Sequence, residues 1–503
     1  MSPRLSSDAA FRLLGRAGYG ARPGEAEALA RQGLGAWLEA QLAAPVVEPA
    51  VEAAIDRLEA PAEDPATPRT LRQPLSALAP LMDTSPEARL PPEARARPRL
   101  ELQLATLVRK ARAEGQLRER LVEFWHDHFN VSFLAGPRVA VALPDYDRRI
   151  RAQALGNFRA LLEATATAPA MLYYLNNQSS RAGAPNENYA RELIELHTLG
   201  REAYRGAAAD GATVPLLPGG VAAQYVDGDV WEAARAFTGW SVAAGQVAEG
   251  QRRLPDDFAF AYVPPWHDGH RKQVLGQVLA PFAPAMADGR RVLDLLAFHP
   301  ATARFVCGKL ARFLIGGPAP AAEARAEAVF RTQREAPDQL ARTVRALVDG
   351  PEVLAPKAGR LRRPLDVVAA AVRAFDLPFA PNRALLRQMA AAGQEPFGWP
   401  APDGQPLDAG PYLGASALRA RWAMLGSLAR RTGTVPGLAP LVGRPVAEAT
   451  GRLAALALGP EAARPARLIA EVWLAEGGSP APDQAALGRL AGWVLAAPEF
   501  QAL

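Results

Sequence analysis

The chain has almost no cysteine and very little lysine. Cys307 is the only cysteine in 503 residues, which excludes intramolecular disulfides, multi-cysteine zinc sites and cysteine-ligated iron–sulfur clusters. It lies in an apolar helical run, Thr302 to Ile315, where a buried and inert thiol is expected. Lysine occurs only at positions 110, 272, 309 and 357, so the basic residues are nearly all arginine. A base-composition bias explains that as well as any function does. Long apolar runs are missing too: no stretch of about 18 such residues exists, and no membrane span is expected. No apolar segment follows a basic start, so no secretory signal is visible. The cytoplasm is the default compartment on that reading, with export left open. There is also no Walker A loop, no Gly-x-Ser-x-Gly elbow, no dinucleotide fingerprint and no His-Glu-x-x-His helix. The easiest enzyme classes fall away with them, and no nucleotide cofactor is expected.

What is present favours helix. Ala, Leu, Arg and Glu dominate, while Val, Ile, Thr and Tyr are sparse. The balance of 49% hydrophobic and 22% charged residues is that of an ordinary globular chain. Net charge is +5, but acidic residues are interleaved with the arginines and no basic run tracks phosphates. Nucleic-acid binding is therefore not expected. The fold class predicted is mainly α: a multi-helix globular protein with long Pro/Gly-rich loops and at most a small β element near 251–281. No fixed-period repeat is evident, which argues against a solenoid. The chain reads as one large helical unit over 1–503. It comprises N-terminal helices in 1–45, an irregular Pro/Ala-rich excursion over 46–98, a central block over 99–300 and a C-terminal helical part over 301–503. An amphipathic pattern runs from Arg97 to Phe129, and residues 203–228 look like a loop insertion.

All six histidines (126, 128, 197, 267, 270 and 299) fall in the central block. On a helix, Glu119, Glu123, His126, Asp127 and Asn130 share one face, while His128 points the other way with Leu121, Phe124 and Trp125. Glu123-x-x-His126 is the spacing by which one helix offers a carboxylate and an imidazole to a metal. A ferritin-like di-metal site needs a second such pair, and none exists. In the segment 186–200, Asn188, Arg191, Glu192 and Glu195 form one stripe, and His197 lies on another face. Arg191 can bridge Glu187 and Glu195. The third cluster, Trp266-His-Asp-Gly-His-Arg-Lys272, can ligate a metal through His267 and Asp268, or simply form a turn with Asp268 on backbone amides. His299-Pro300 reads as a helix start. The loop Glu395-Pro-Phe-Gly-Trp-Pro400 is too aromatic to be only a solvated linker.

At these residues the chain resembles a bacterial family, domain of unknown function 1800. Phe124-Trp-His-Asp-His-Phe-Asn130 and Asn186-Glu-Asn-Tyr-Ala-Arg-Glu-Leu-Ile-Glu-Leu-His-Thr-Leu-Gly200 are similar to its two hallmark segments. Phe11 to Gly20, Ala233-Ala-Arg-Ala-Phe-Thr-Gly-Trp240, His299 to Phe305, Phe397-Gly-Trp-Pro400 and Ala497 to Gln501 agree in order. The resemblance implies a mostly helical protein of one extended domain and supplies no activity. It also implies a partner by association, a sulfatase-like family called domain of unknown function 1501. The third cluster departs from the family's His-Asp-x-Gly-x-Lys: His267, Asp268 and Lys272 match, but glycine stands at 269 and histidine at 270.

Two functional readings follow. The first is a metal-dependent enzyme, hydrolytic or oxidative, with a divalent Zn, Mn or Fe ion. In it His126, His128, His267 and Asp268 hold the metal, and Glu192, Glu195 and Arg191 do the proton and charge chemistry. Glu123, Asp127, Asn188, His197 and Lys272 support them. The stripe of the second segment should then face Glu123, His126 and Asp127 across a helix pair. The second reading is a non-catalytic scaffold or accessory protein, in which the same residues form a buried Arg–Glu–His lock.

Overall fold

Short polar residues and prolines set the helix boundaries. Asn157 accepts from Ala160 N and starts the helix Phe158–Ala166. Asn186 accepts from Asn188 N and starts Glu187–Glu195. His299 caps Pro300–Ile315 through Nδ1, with proline in the first helical position as expected. The structure is a computed structural model, described over residues 5–58, 69–85, 90–207, 209–248, 253–355 and 360–502.

Helices run from Ser7–Arg16 to Pro498–Gln501 and dominate the fold. Among the described residues the strands form two antiparallel hairpins. Trp240–Ala244 pairs with Asp256–Tyr262, and Lys272–Val274 pairs with Gln277–Leu279. This agrees with the small β element expected, although the first strand begins earlier and residues 251–252 lie outside the described ones. Among the described residues no helix is long and apolar enough to cross a membrane.

Two stretches differ from their sequence reading. The 46–98 excursion contains the helices Pro49–Asp56 and Leu75–Met82, with 59–68 and 86–89 outside the described residues. Their apolar faces bury Val51, Ile55, Leu78 and Met82, so composition understated their order. The long pattern from Arg97 is two helices, Pro92–Arg112 and Gln116–His128. The break lies at Gly115, where a Cβ would come within 2.9 Å of Ala44 Cβ. Gln116 Nε2 then donates to Ala113 O at 2.8 Å and Lys110 O at 3.1 Å, capping the exposed carbonyls. Hydrophobic period alone runs straight through such a break.

The Gln116–His128 helix is buried almost all round. It packs against Leu34–Leu42, Pro92–Arg112 and Pro137–Gln153. Leu117, Leu121, Phe124 and Trp125 fill one side, and Trp125 Nε1 donates to Ala154 O at 3.0 Å. A fully buried side chain of that size contributes about 1.5–3 kcal/mol. Its other side carries Glu119, Arg120 and Glu123, equally buried. Charges so placed must be paired, and this demand builds the site. One apolar core reaches from Ala10 to Phe500 around them.

Candidate functional site

Glu123 is the hub of a buried ion network. Its carboxylate accepts from Lys110 Nζ at 2.7 Å, from the Tyr19 hydroxyl and from Arg363 Nη2. Arg363 also donates to Asp127 Oδ2 at 2.7 Å. Arg120 pairs with Asp366, which in turn accepts from Arg363 N at 2.9 Å. Arg151 grips Glu119 at 2.6 and 3.1 Å and donates Nε to Asp147 at 2.7 Å. Burial alone would raise Glu123, but Lys110 and Arg363 outweigh it and hold the carboxyl low. Asp127 moves the other way. Burial, with the adjacent Glu123 charge, exceeds the pull of Arg363 and raises its carboxyl.

One side of this network opens on a cavity of about 50 Å³, enough for a few waters or a small polar group. Its wall includes Lys110, Glu123, His126, Asp127, Asn130 and Asp147. His126 Nε2 lies 3.0 Å from Asp147 Oδ1. Burial pushes Asp147 up, but Arg151, His126 and Arg109 together hold it far below the usual carboxylate range. An ionised Asp147 can only accept, so Nε2 donates to it. Nδ1 makes no hydrogen bond to a described residue, and the ring is held edge-on by Phe397 and Tyr146.

The loop over residues 394–405 closes the cavity. Asn130 Nδ2 donates to Trp399 O at 3.0 Å and Ala401 O at 2.7 Å, and Tyr174 donates to Pro400 O at 2.7 Å. Phe397 sits at φ +60, a conformation that costs a side-chain-bearing residue energy and is held here by its packing. Gly404 is at φ +86, and a Cβ there would fall 2.0 Å from Asp127 O. The aromatic loop is therefore part of the cavity wall.

The stripe Asn188, Arg191, Glu192 and Glu195 does not line this cavity. Its helix packs on Asp227–Ala236, with Tyr189, Ala190, Leu193 and Ile194 turned to the core. Arg191 bonds Asp227 at 3.1 Å and Glu187 at 3.4 Å, while Glu195 pairs with Arg201 at 2.7 Å. Asn188 Nδ2 donates to Leu175 O at 3.4 Å. The Glu192 side chain forms no ion pair or hydrogen bond with a described residue, and burial with Glu195 raises its carboxyl. The expected meeting of this stripe with Glu123, His126 and Asp127 across a helix pair is thus corrected. The apolar face took the core side and left the stripe outward.

The two histidines of opposite faces do meet. The last turn opens so that His197 N bonds Glu192 O, five residues back, at 3.1 Å. His197 is buried, and His128 Nε2 donates to His197 O at 3.0 Å. Both rings are neutral: burial, then Lys309, pushes His197 down to about 3 and His128 well below its ordinary value. His267 Nδ1 donates to Thr238 O at 2.9 Å, and its Nε2 faces Asp288 at 3.3 Å. Asp268 grips Arg235 at 2.8 and 3.2 Å and accepts from His270 N at 3.0 Å. Lys272 donates to Asp288 at 2.7 Å. These bonds link the third cluster to the helices Asp227–Ala236 and Ala287–Ala297. Among the described residues no three His, Cys, Asp or Glu side chains come close enough to hold one ion. His126, His128, His267 and Asp268 do not come together into one such group.

A family model, protein of unknown function (DUF1800), matches residues 12–502. The chain belongs to the DUF1800 family. No curated protein and no solved structure matches it. Both DUF1800 hallmark segments read from the sequence are joined by the His128–His197 hydrogen bond. The network also uses residues that sequence reading gave no role: Tyr19, Lys110, Asp147, Arg151, Arg363 and Asp366. One signal was available. In a chain with four lysines, Lys110 and Lys272 both lie buried in ion pairs. Lys309 is half-buried, and burial lowers it to about 8.

Proposed function

We propose that this protein is an acid–base enzyme, hydrolytic in type, acting on a small polar substrate or the polar end of a larger one. The observation that carries the reading is the His126–Asp147 pair, with Nδ1 unbonded in a cavity that also holds the raised carboxyl of Asp127. His126 Nδ1 takes a proton from water, and Asp147 stabilises the imidazolium. Asp127, whose carboxyl burial raises, gives a proton to the leaving group when it is in its protonated form. Asp147 held low and Asp127 raised are neighbouring carboxyls whose environments part them, as an acid and its opposing charge require. The metal-dependent form of this reading finds no supporting donor set.

The test is a panel of ester, amide, glycoside and phosphoester substrates with wild type, His126→Asn and Asp127→Asn. General acid–base groups are worth roughly 10²–10⁴-fold each, so each variant should lose about that much in kcat at unchanged melting temperature. Full activity in His126→Asn, or no turnover by wild type of any class, would count against the proposal. The scaffold reading keeps one supporting observation: Glu119, Glu123 and Asp366 are fully paired with arginine in the interior. It expects the His126 variant to change stability alone.

A further inference from the structure

Behind the Glu123 network, arginines outnumber their partners. Arg120, Arg360 and Arg363 place their guanidinium carbons 4.8, 4.9 and 5.6 Å from the centre of the Phe313 ring. Arg120 and Arg363 are 0% exposed and Arg360 is 6% exposed. Arg362 and Arg421, equally buried, join them through the carbonyl of Arg362 and the side chain of Gln501. The carboxylate within this group is Asp366, which takes Arg120 and lies 3.7 Å from Arg360 Nη2. Glu123 and Asp127 are already engaged by Arg363 and Lys110.

The donors are as telling as the charge. Arg360 Nε, Nη1 and Nη2 have no hydrogen-bond partner, nor do Arg120 Nε and Nη2, Arg363 Nε or Arg421 Nη1. The Phe313 ring offers its π electrons to a guanidinium but no acceptor for N–H groups pointing in the guanidinium plane. Buried donors of this kind are almost always satisfied. Water could fill some of them, yet it brings no negative charge. Chloride brings charge but one acceptor atom, whereas several guanidiniums here carry open donors, which several acceptor oxygens can serve.

We propose that this arginine cluster is a buried binding site for a polyatomic oxyanion of the phosphate or sulfate type. Arg360 and Arg120 supply its open donors. The anion sits behind Asp366, apart from the His126 cavity, and completes the charge balance of the helix Gln116–His128 from the rear. It is a structural or regulatory ligand, and its binding does not depend on the proposed chemistry at His126.

The experiment starts from full-length protein purified in phosphate- and sulfate-free buffer. Acid-released phosphate and sulfate are measured by ion chromatography, and the same protein is titrated calorimetrically with each anion against chloride at equal ionic strength. The expected result is either about one equivalent released or saturable binding that chloride does not reproduce. Arg360→Met should weaken binding at least tenfold while melting no lower than wild type without anion, and Arg360→Lys should fall between. His126→Asn should bind as wild type does. No released anion together with no saturable binding by wild type overturns the proposal, as does wild-type affinity in Arg360→Met.

Discussion

Glu123 shows what a single residue holds in this structure. Lys110, Tyr19 and Arg363 all converge on it, and Arg363 bridges on to a second carboxylate, Asp127. Removing one partner of a buried ion pair leaves the others uncompensated, at a cost of about 3–5 kcal/mol. Glu123→Gln should therefore lower the unfolding free energy extrapolated from a urea titration by that amount, with helical content kept at low denaturant. A loss below about 1 kcal/mol would mean that water reaches the network. The shared face of Glu123, His126 and Asp127 was legible from helical spacing. Lys110, Asp147 and Arg363 were not, because they arrive from other helices and arginine is too common here to mark a position. The tyrosine at 19 lies 104 residues from Glu123, beyond any local pattern.

At the scale of elements, helix ends decide which groups meet. Gly200 was legible as a stop, but the opening of the turn before it was not. Regular spacing already sets His197 on the face of Ala190, Leu193 and Ile194; the open turn adds the bond from His197 N to Glu192 O, which spacing cannot express. Gly200 has φ +84 and ψ +159, a region nearly confined to glycine, and a Cβ there would lie 2.7 Å from the Phe305 ring. Gly200→Ala should cost about 1–3 kcal/mol. Differential scanning calorimetry checks it, and an unchanged transition would show that the turn can relax. The stripe on the same helix failed for a related reason. Its polar residues were legible as a stripe, but only packing determines which neighbour that stripe faces.

At the scale of the molecule, acid sensitivity follows from the buried histidines. His128, His197 and His299 are all lowered by burial, so the folded state resists their protonation. Below the unfolded value of about 6.5 the unfolded chain binds more protons, and stability falls with pH by up to about 1.4 kcal/mol per unit for each group. Glu119, Asp147 and Asp366 are held low against burial by their arginines, and their contribution is lost further down as pH falls through their folded values. The melting temperature should be level above pH 7 and drop steeply between pH 6.5 and 5. A level profile down to pH 5 would show that these rings stay wet. The mainly helical class was legible because composition and period agree over most of the chain. The site was less so, because its parts lie on helices far apart in sequence.

That separation has a consequence for synthesis. Arg363 is 240 residues downstream of Glu123. A ribosome adding roughly 5–20 residues per second needs about 12–48 s to cover that distance. Throughout that interval the nascent amino-terminal half carries a carboxylate whose guanidinium has not yet been made. The helix Gln116–His128 cannot complete the Glu123–Arg363 pair until the chain beyond residue 363 has been made.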